Sequence, residues 1–336
     1  MKIYNIIFIV MLFVTLPLFG KIKVVTTLPD YGVIAKTLGG DNVSVFSIVK
    51  TDEDAHHVRP KPSFVLKVKE ADLFITTGLD LELWVPSLLN RASNPKVRSG
   101  QIGYVAAADG IPLIDKPKNL SHSEGGLHVY GNPHIMTSPI NMIYVAKNIA
   151  IGLAKVDPNK KDFYQAQYKK FKKDMIEKIF GKEIPKILGD DLVIKMAENG
   201  TLIDFLKNKE VGGSKLIDKL SGWMKKALPL YGSKIVTYHK SWGYLQKILN
   251  LKLVTTIEVK PGIPPTPKHV FSVVKKIKQN KIKFIIGASY FPVYKMKNIA
   301  DKTKVELVVL KMNPDKNCTN SMDKFDSWLT KILKAR

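Results

Sequence analysis

Seven histidines are the residues of this chain whose type and placement point to chemistry. His56 and His57 are adjacent in EDAHHVRPKPS, ahead of the spaced prolines Pro60 and Pro62. His134 lies in GNPHIMTSP and His239 in IVTYHKSWGYL, while His122 and His128 share the Gly-containing segment SHSEGGLHVYG. His269 opens a helix after TPK and reads as a surface residue. Imidazole nitrogen is a borderline ligand that suits zinc and tolerates copper, iron and nickel, whereas manganese and magnesium favour carboxylate and carbonyl oxygen. A three-histidine site leaves a fourth position for water or a carboxylate, and zinc is its default occupant. A lone loop histidine is more often solvated than ligating, so the reading depends on the elements that bring these residues together.

Those elements alternate. KIKVVTTLPDYGVIAKTLGG holds a β-branched run, a Pro-Asp turn and a helical pattern closed by Gly39 and Gly40, and VSVFSIV and ADLFITTG repeat the scheme. Such alternation argues a parallel α/β sheet, whose ligands gather in the loops after the strands. His56 and His57 fall in one such loop, between VSVFSIV and a helix that Ser63 is expected to cap. Ser138 and Pro139 start another helix, running to about Lys155, so His134 sits just before it. From Asn159 to Phe180, Tyr164, Tyr168, Phe171, Met175 and Ile179 recur at helical spacing, forming one stripe on a helix of roughly six turns. Such a helix midway in the chain reads as a spine packed against two lobes or, equally, as one more peripheral helix of a single domain. Strand and helix patterns then restart, and His239 falls where KIVTY gives way to a helix. The predicted fold is therefore α/β, in two halves that each carry a mainly parallel sheet flanked by helices; on the spine reading these are two lobes joined by one long linker helix. The expected boundaries are 21–158 for the first lobe, 159–181 for the linker and 182–336 for the second lobe.

Residues 1–20, MKIYNIIFIVMLFVTLPLFG, have a basic start at Lys2, an apolar run from Ile6 to Leu18 and a small residue at Gly20. The uninterrupted core is shorter than the roughly 20 residues that span a bilayer, so the segment reads as a secretory signal peptide. The single cysteine, Cys318, allows no internal disulfide and stands far from the expected cleavage point, which gives the expectation of a periplasmic protein that is not a lipoprotein. The formal net charge is +24, yet arginine occurs only at Arg59, Arg91, Arg98 and Arg336. Lysines spread along every segment, as in KKDFYQAQYKKFKKD, make solvated helix faces, whereas base readout favours the guanidinium fork with interleaved aromatics. Nucleic acid is not an expected partner.

The motifs DAHHVRPKPS, ADLFITTGLDLELW, GNPHIMTSP, IVTYHKSWGYL and IEVKPGIPPTP resemble, in the same order, those of the periplasmic solute-binding proteins of zinc and manganese ABC importers. The resemblance covers essentially all of the mature chain. It implies two α/β lobes joined by one long helix, with a metal ion in the cleft between them. It also implies ligands at His56, with His57 its neighbour, at His134, and at His239, where zinc-type members carry histidine and manganese-type members glutamate. Ala55 replaces the family's usual proline, which leaves that loop freer. Met136 and Ser138 stand where tryptophan and aspartate are common. No aspartate of VVLKMNPDKNCTN falls in the late-loop register that manganese-type relatives use, Asp315 being displaced, so the fourth position goes to water or to Glu258. SHSEGGLHVYG is similar to a short version of the histidine-rich loop of zinc-type relatives; it reads first as a mobile surface loop, the alternatives being that His122 and His128 catch incoming metal or that His128 joins the ligands.

The function implied is non-enzymatic: capture of a divalent ion as cargo, Zn2+ first with Mn2+ or Fe2+ as alternatives, and delivery to an ABC permease and its ATPase. The carrier is expected to be a monomer that meets the inner membrane through the permease. Two other classes compete. A zinc hydrolase would share a three-histidine site but lacks here an HExxH helix or an evident general base. A surface adhesin is compatible with the lysine-rich faces.

Overall fold

The computed structural model of the chain describes residues 20–117, 128–259, 262–315 and 317–336. The expected signal peptide lies almost wholly outside the described residues, and His122 does too. Apolar and β-branched runs form two four-stranded sheets. The first contains β1 (Ile22–Thr26), β2 (Val43–Ser47), β3 (Leu73–Thr76) and β4 (Tyr104–Ala106), in the spatial order β2-β1-β3-β4 with every pair parallel. A two-residue antiparallel hairpin, β5 (Glu210–Val211) with β6 (Ser214–Lys215), precedes the second sheet. That sheet contains β7 (Lys234–Thr237), β8 (Lys252–Thr256), β9 (Phe284–Ala288) and β10 (Glu306–Leu310), in the order β10-β9-β7-β8, again all parallel. Helices cover both faces of each sheet, which is why the central strands β3 and β9 are buried at every position.

The amphipathic segment after residue 159 forms the 20-residue helix Lys161–Phe180, entered through the turn Pro158–Lys160 and closed by Gly181 at φ 76°. Tyr164, Phe171, Met175 and Ile179 are buried along its stripe with Ile176 and Phe180, while Tyr168 is half-buried. The helix packs against Pro29–Gly39 and Asn141–Val156 from the first half of the chain and against Glu183–Leu188 and Gly222–Ala227 from the second. One continuous apolar core runs through both sheets, from Leu28 and Phe74 to Phe284 and Trp328. A smaller cluster around Val236, Val273 and Met296 lies under the helices Pro267–Gln279 and Val293–Thr303. Among the described residues no helix is long and apolar enough to cross a membrane.

A buried ion pair ties the first helix to the last. The Lys324 ammonium, on helix Asp323–Lys334, bonds to the Asp30 carboxylate and donates to the Met136 carbonyl at 2.9 Å. Both side chains are almost wholly inaccessible, and burial pushes the Asp30 carboxyl up and the Lys324 amine down despite their mutual attraction.

One local expectation is corrected. Ser63 does not cap the helix after the histidine loop, because Pro62 already occupies its first turn and Lys61 takes the cap position without a side-chain bond. Proline needs no cap partner there, having no N–H to satisfy.

Candidate metal centre

The loop after β2 tightens into a single 3-10 turn, Ala55–His57, because Asp54 caps it. Asp54 Oδ1 accepts the backbone N–H of His56 at 3.1 Å and lies 2.8 Å from its Nδ1. A carboxylate only accepts, so the imidazole proton sits on Nδ1 and the Nε2 lone pair is left free. Burial works against the Asp54 charge, but the hydrogen bonds and charge of His56 outweigh it and hold the carboxyl below its usual range. The freedom expected from Ala55 is not realised: Ala55 is buried and its carbonyl accepts the Trp84 indole N–H at 2.8 Å.

His134 is built the same way. Asn132 Oδ1 accepts the backbone N–H of His134 at 3.0 Å and lies 2.9 Å from its Nδ1. The amide orientation is set by its other end, since Asn132 Nδ2 donates to Asp115 Oδ2 at 3.0 Å and to the Lys240 carbonyl at 3.1 Å, both acceptors only. The Tyr244 hydroxyl also donates to the Asn132 carbonyl, at 2.8 Å. Gly243 permits this approach, since a Cβ there would lie 2.8 Å from Asn132 Nδ2. Ser138 Oγ accepts the N–H groups of Ile140 and Asn141, both at 3.2 Å, and so starts the helix Asn141–Val156.

His239 follows β7, with the Thr237 hydroxyl donating to its carbonyl at 2.8 Å. Its Nδ1 lies 2.8 Å from Glu258 Oε2, and the other Glu258 oxygen accepts the Gly262 N–H at 2.8 Å. Glu258 thus stands behind His239, with both oxygens engaged, rather than facing the other imidazoles.

These rings converge with His128. The candidate donor atoms of His56, His128 and His134 all lie within 4.8 Å of one another. His56 Nε2 and His128 Nε2 are 3.4 Å apart, matching the nitrogen separation of about 3.3 Å that Zn–N bonds of about 2.0–2.1 Å give in a tetrahedron. The His134 ring centroid lies 5.2 Å from that of His56, 5.7 Å from His128 and 5.6 Å from His239. His239 stands farther from His56, at 6.2 Å. His134 is 2% exposed, and its Nε2 is buried without a hydrogen-bond partner, an arrangement that costs free energy unless a ligand satisfies the lone pair. Burial, followed by the neighbouring imidazoles His56, His239 and His128, holds His134 well below its ordinary value. Burial, His56 and His239 likewise lower His128 to about 4. Both rings are therefore neutral, the form that binds metal, at ordinary pH.

The remaining sequence candidates lie elsewhere. His57 lines the mouth of the cleft beside these rings but stands outside the cluster, its side chain 70% exposed and its Nε2 4.0 Å from Asp54 Oδ2. Asp315 pairs with Lys311 at 3.3 Å and lines a different groove beside Pro29 and Lys36. His269 Nε2 bonds to the Thr256 carbonyl at 3.0 Å. The sequence reading did not assign the orienting roles of Asp54 and Asn132. Their signal is a shared spacing, an Asx side chain two residues before His56 and before His134.

Known proteins share the sequence pattern and the fold. The profile described as "Zinc-uptake complex component A periplasmic" matches residues 24–179 and 212–335. PsaA, a "Manganese ABC transporter substrate-binding lipoprotein" of Streptococcus mitis, is 25% identical over 292 residues, covering 85% of this chain and 78% of its own length. AdcA, a "Zinc-binding protein" of Streptococcus pyogenes serotype M1, is 25% identical over 299 residues, covering 87% of this chain and 50% of its own. A crystal structure of ZnuA superposes with a TM-score of 0.67 at 19% identity, covering 94% of this chain and 98% of that one, and so shares the fold. The expectation of a periplasmic protein that is not a lipoprotein is corrected by these relatives, since PsaA is named as a lipoprotein. With the profile spanning both sheets and the long helix, the chain belongs to the zinc-uptake component A family, the metal-binding solute-binding proteins of ABC transporters.

Proposed function

We propose that this protein carries zinc, held by His56, His128 and His134 with His239 facing them as the fourth donor, and releases it to an ABC permease driven by its ATPase. The observation that carries this reading is the buried, unpartnered His134 Nε2, aimed among imidazoles whose Nδ1 atoms face Asp54, Asn132 and Glu258. A set of neutral nitrogen donors favours zinc over manganese, which prefers oxygen. Asp54 and Glu258 face Nδ1 atoms and do not stand as a general base beside a metal-bound water, which favours carriage over hydrolysis. The two relatives differ in named metal, manganese for PsaA and zinc for AdcA, and it is the nitrogen donor set that supports zinc here. Chelator-stripped protein titrated with each ion in a competition assay tests the reading. Zinc is expected to bind at one equivalent and at least about tenfold more tightly than manganese; tighter manganese binding would overturn the assignment.

A further inference from the structure

The cleft beside the histidines holds more space than a bare ion needs. The cavity there measures about 630 Å3, whereas one water-sized sphere takes about 10–15 Å3 and pockets for small organic ligands span about 300–1,000 Å3. Its walls are largely apolar: Leu81 and Leu83 line it together with Tyr238, Pro264, Phe291 and Pro292. Phe291 stacks on Tyr238 with ring centroids 4.5 Å apart, and its centroid lies 6.0 Å from that of His239, so the apolar wall reaches the metal donors themselves. Asp54, Asp80 and Glu258 line the cavity too, but each carboxylate is engaged, with His56, the Val129 N–H and His239 respectively, which leaves Lys295 as the cationic lining side chain that an anion would meet. Apolar and aromatic walls with a few placed polar groups suit an organic molecule and do nothing for a hydrated ion.

We infer that the cleft accepts its metal as a complex with a small anionic chelator: a divalent ion bound by a molecule that combines a flat apolar body with a carboxylate. His56, His128 and His134 hold the ion, and the chelator supplies two further donor atoms in place of His239, which serves the bare ion. The body of the chelator lies against Phe291 and Leu83, and its carboxylate faces Lys295. This inference rests on the imidazole cluster being the metal site.

Picolinate, pyridine-2-carboxylate, is a suitable probe. Full-length, chelator-stripped protein is dialysed against zinc alone, picolinate alone, and both together, and the bound species are counted by native mass spectrometry. The expected result is a protein–zinc–picolinate complex at equal stoichiometry, with no picolinate retained in the absence of zinc. Leu83→Ser, at a largely exposed side chain, should weaken picolinate retention about threefold, and Lys295→Glu about tenfold, while both variants bind zinc alone as before. Zinc binding with picolinate left free, picolinate stripping the zinc from the protein, or retention unchanged in both variants would each overturn the inference and leave the zinc reading standing. Failure to take up zinc alone would overturn both.

Discussion

Asp54 Oδ1 meets both the backbone N–H and the ring Nδ1 of His56, at 3.1 and 2.8 Å. One oxygen thereby sets the turn, the tautomer and the ring direction together. The same double contact recurs from Asn132 Oδ1 to His134, at 3.0 and 2.9 Å. A metal-ligating histidine held in this way keeps its Nε2 lone pair aimed without any ion present, which lowers the ordering cost of binding.

Removing that support should weaken binding without removing a donor. Asp54→Ala is expected to lower zinc affinity about 10- to 100-fold, whereas Asp54→Asn, which keeps an acceptor oxygen, should lose less. Competition against a fluorescent zinc chelator measures both, and equal affinities in the wild type and Asp54→Ala would exclude the orienting role.

The two adjacent histidines should differ sharply. His56→Ala and His128→Ala are each expected to cost at least about tenfold in zinc affinity, while His57→Ala, whose ring is largely exposed, should change it less than about twofold. A larger effect at residue 57 than at residue 56 would reverse the assignment.

The metal-free protein should lose stability in acid. Burial and neighbouring imidazoles hold His134 well below its ordinary value and His128 at about 4, while both return to about 6.5 when the chain unfolds. The unfolded state then binds more protons over that interval, so stability is complete above about pH 6.5 and declines as pH falls toward about 4. Thermal melts of stripped protein across this window should show the decline, and His134→Gln should flatten it. A melting temperature independent of pH there would contradict the burial argument.

Zinc should raise stability by mass action. At about 100 times its Kd the ion adds about 2.7 kcal/mol to the folded state, and removal by a chelator reverses the gain. Calorimetric scans with and without the ion provide the check; coincident scans would argue against a site formed only in the folded protein.

The Lys324–Asp30 pair, which also holds the Met136 carbonyl in the turn after His134, offers a test of buried-charge energetics. Lys324→Met should destabilise the protein by about 3–5 kcal/mol because it strands a buried carboxylate, and adding Asp30→Asn should recover most of the loss. Urea unfolding of the two variants measures this, and equal stability of the single and double variants would refute it.

Much of this architecture is legible in the sequence because its causes are local. The β-branched runs at Ile22 and Phe284, the proline at the start of the helix after the histidine loop, and the stripe from Tyr164 to Ile179 all act within a few residues of themselves. Alternating strands and helices place His56 in the loop after β2, His239 directly after β7 and His134 at the turn before helix Asn141–Val156, and the ordered motifs carry the family. Other features depend on contacts across long stretches of chain. Ala55 looked free beside a family proline, yet Trp84 pins its carbonyl from 29 positions away.

The residue types and the periods of the pattern determined two parallel sheets, a long helix and a supply of imidazoles at strand ends, since backbone preference and side-chain alternation are properties of short segments. Tertiary structure alone decided which imidazoles meet. His128 stands 3.4 Å from His56 although 72 positions separate them, while His57, next in the chain, points to solvent. Glu258 turned out to face His239 Nδ1 rather than the shared centre. Such choices follow from the packing of loops against one another, where distance in space is unrelated to distance along the chain.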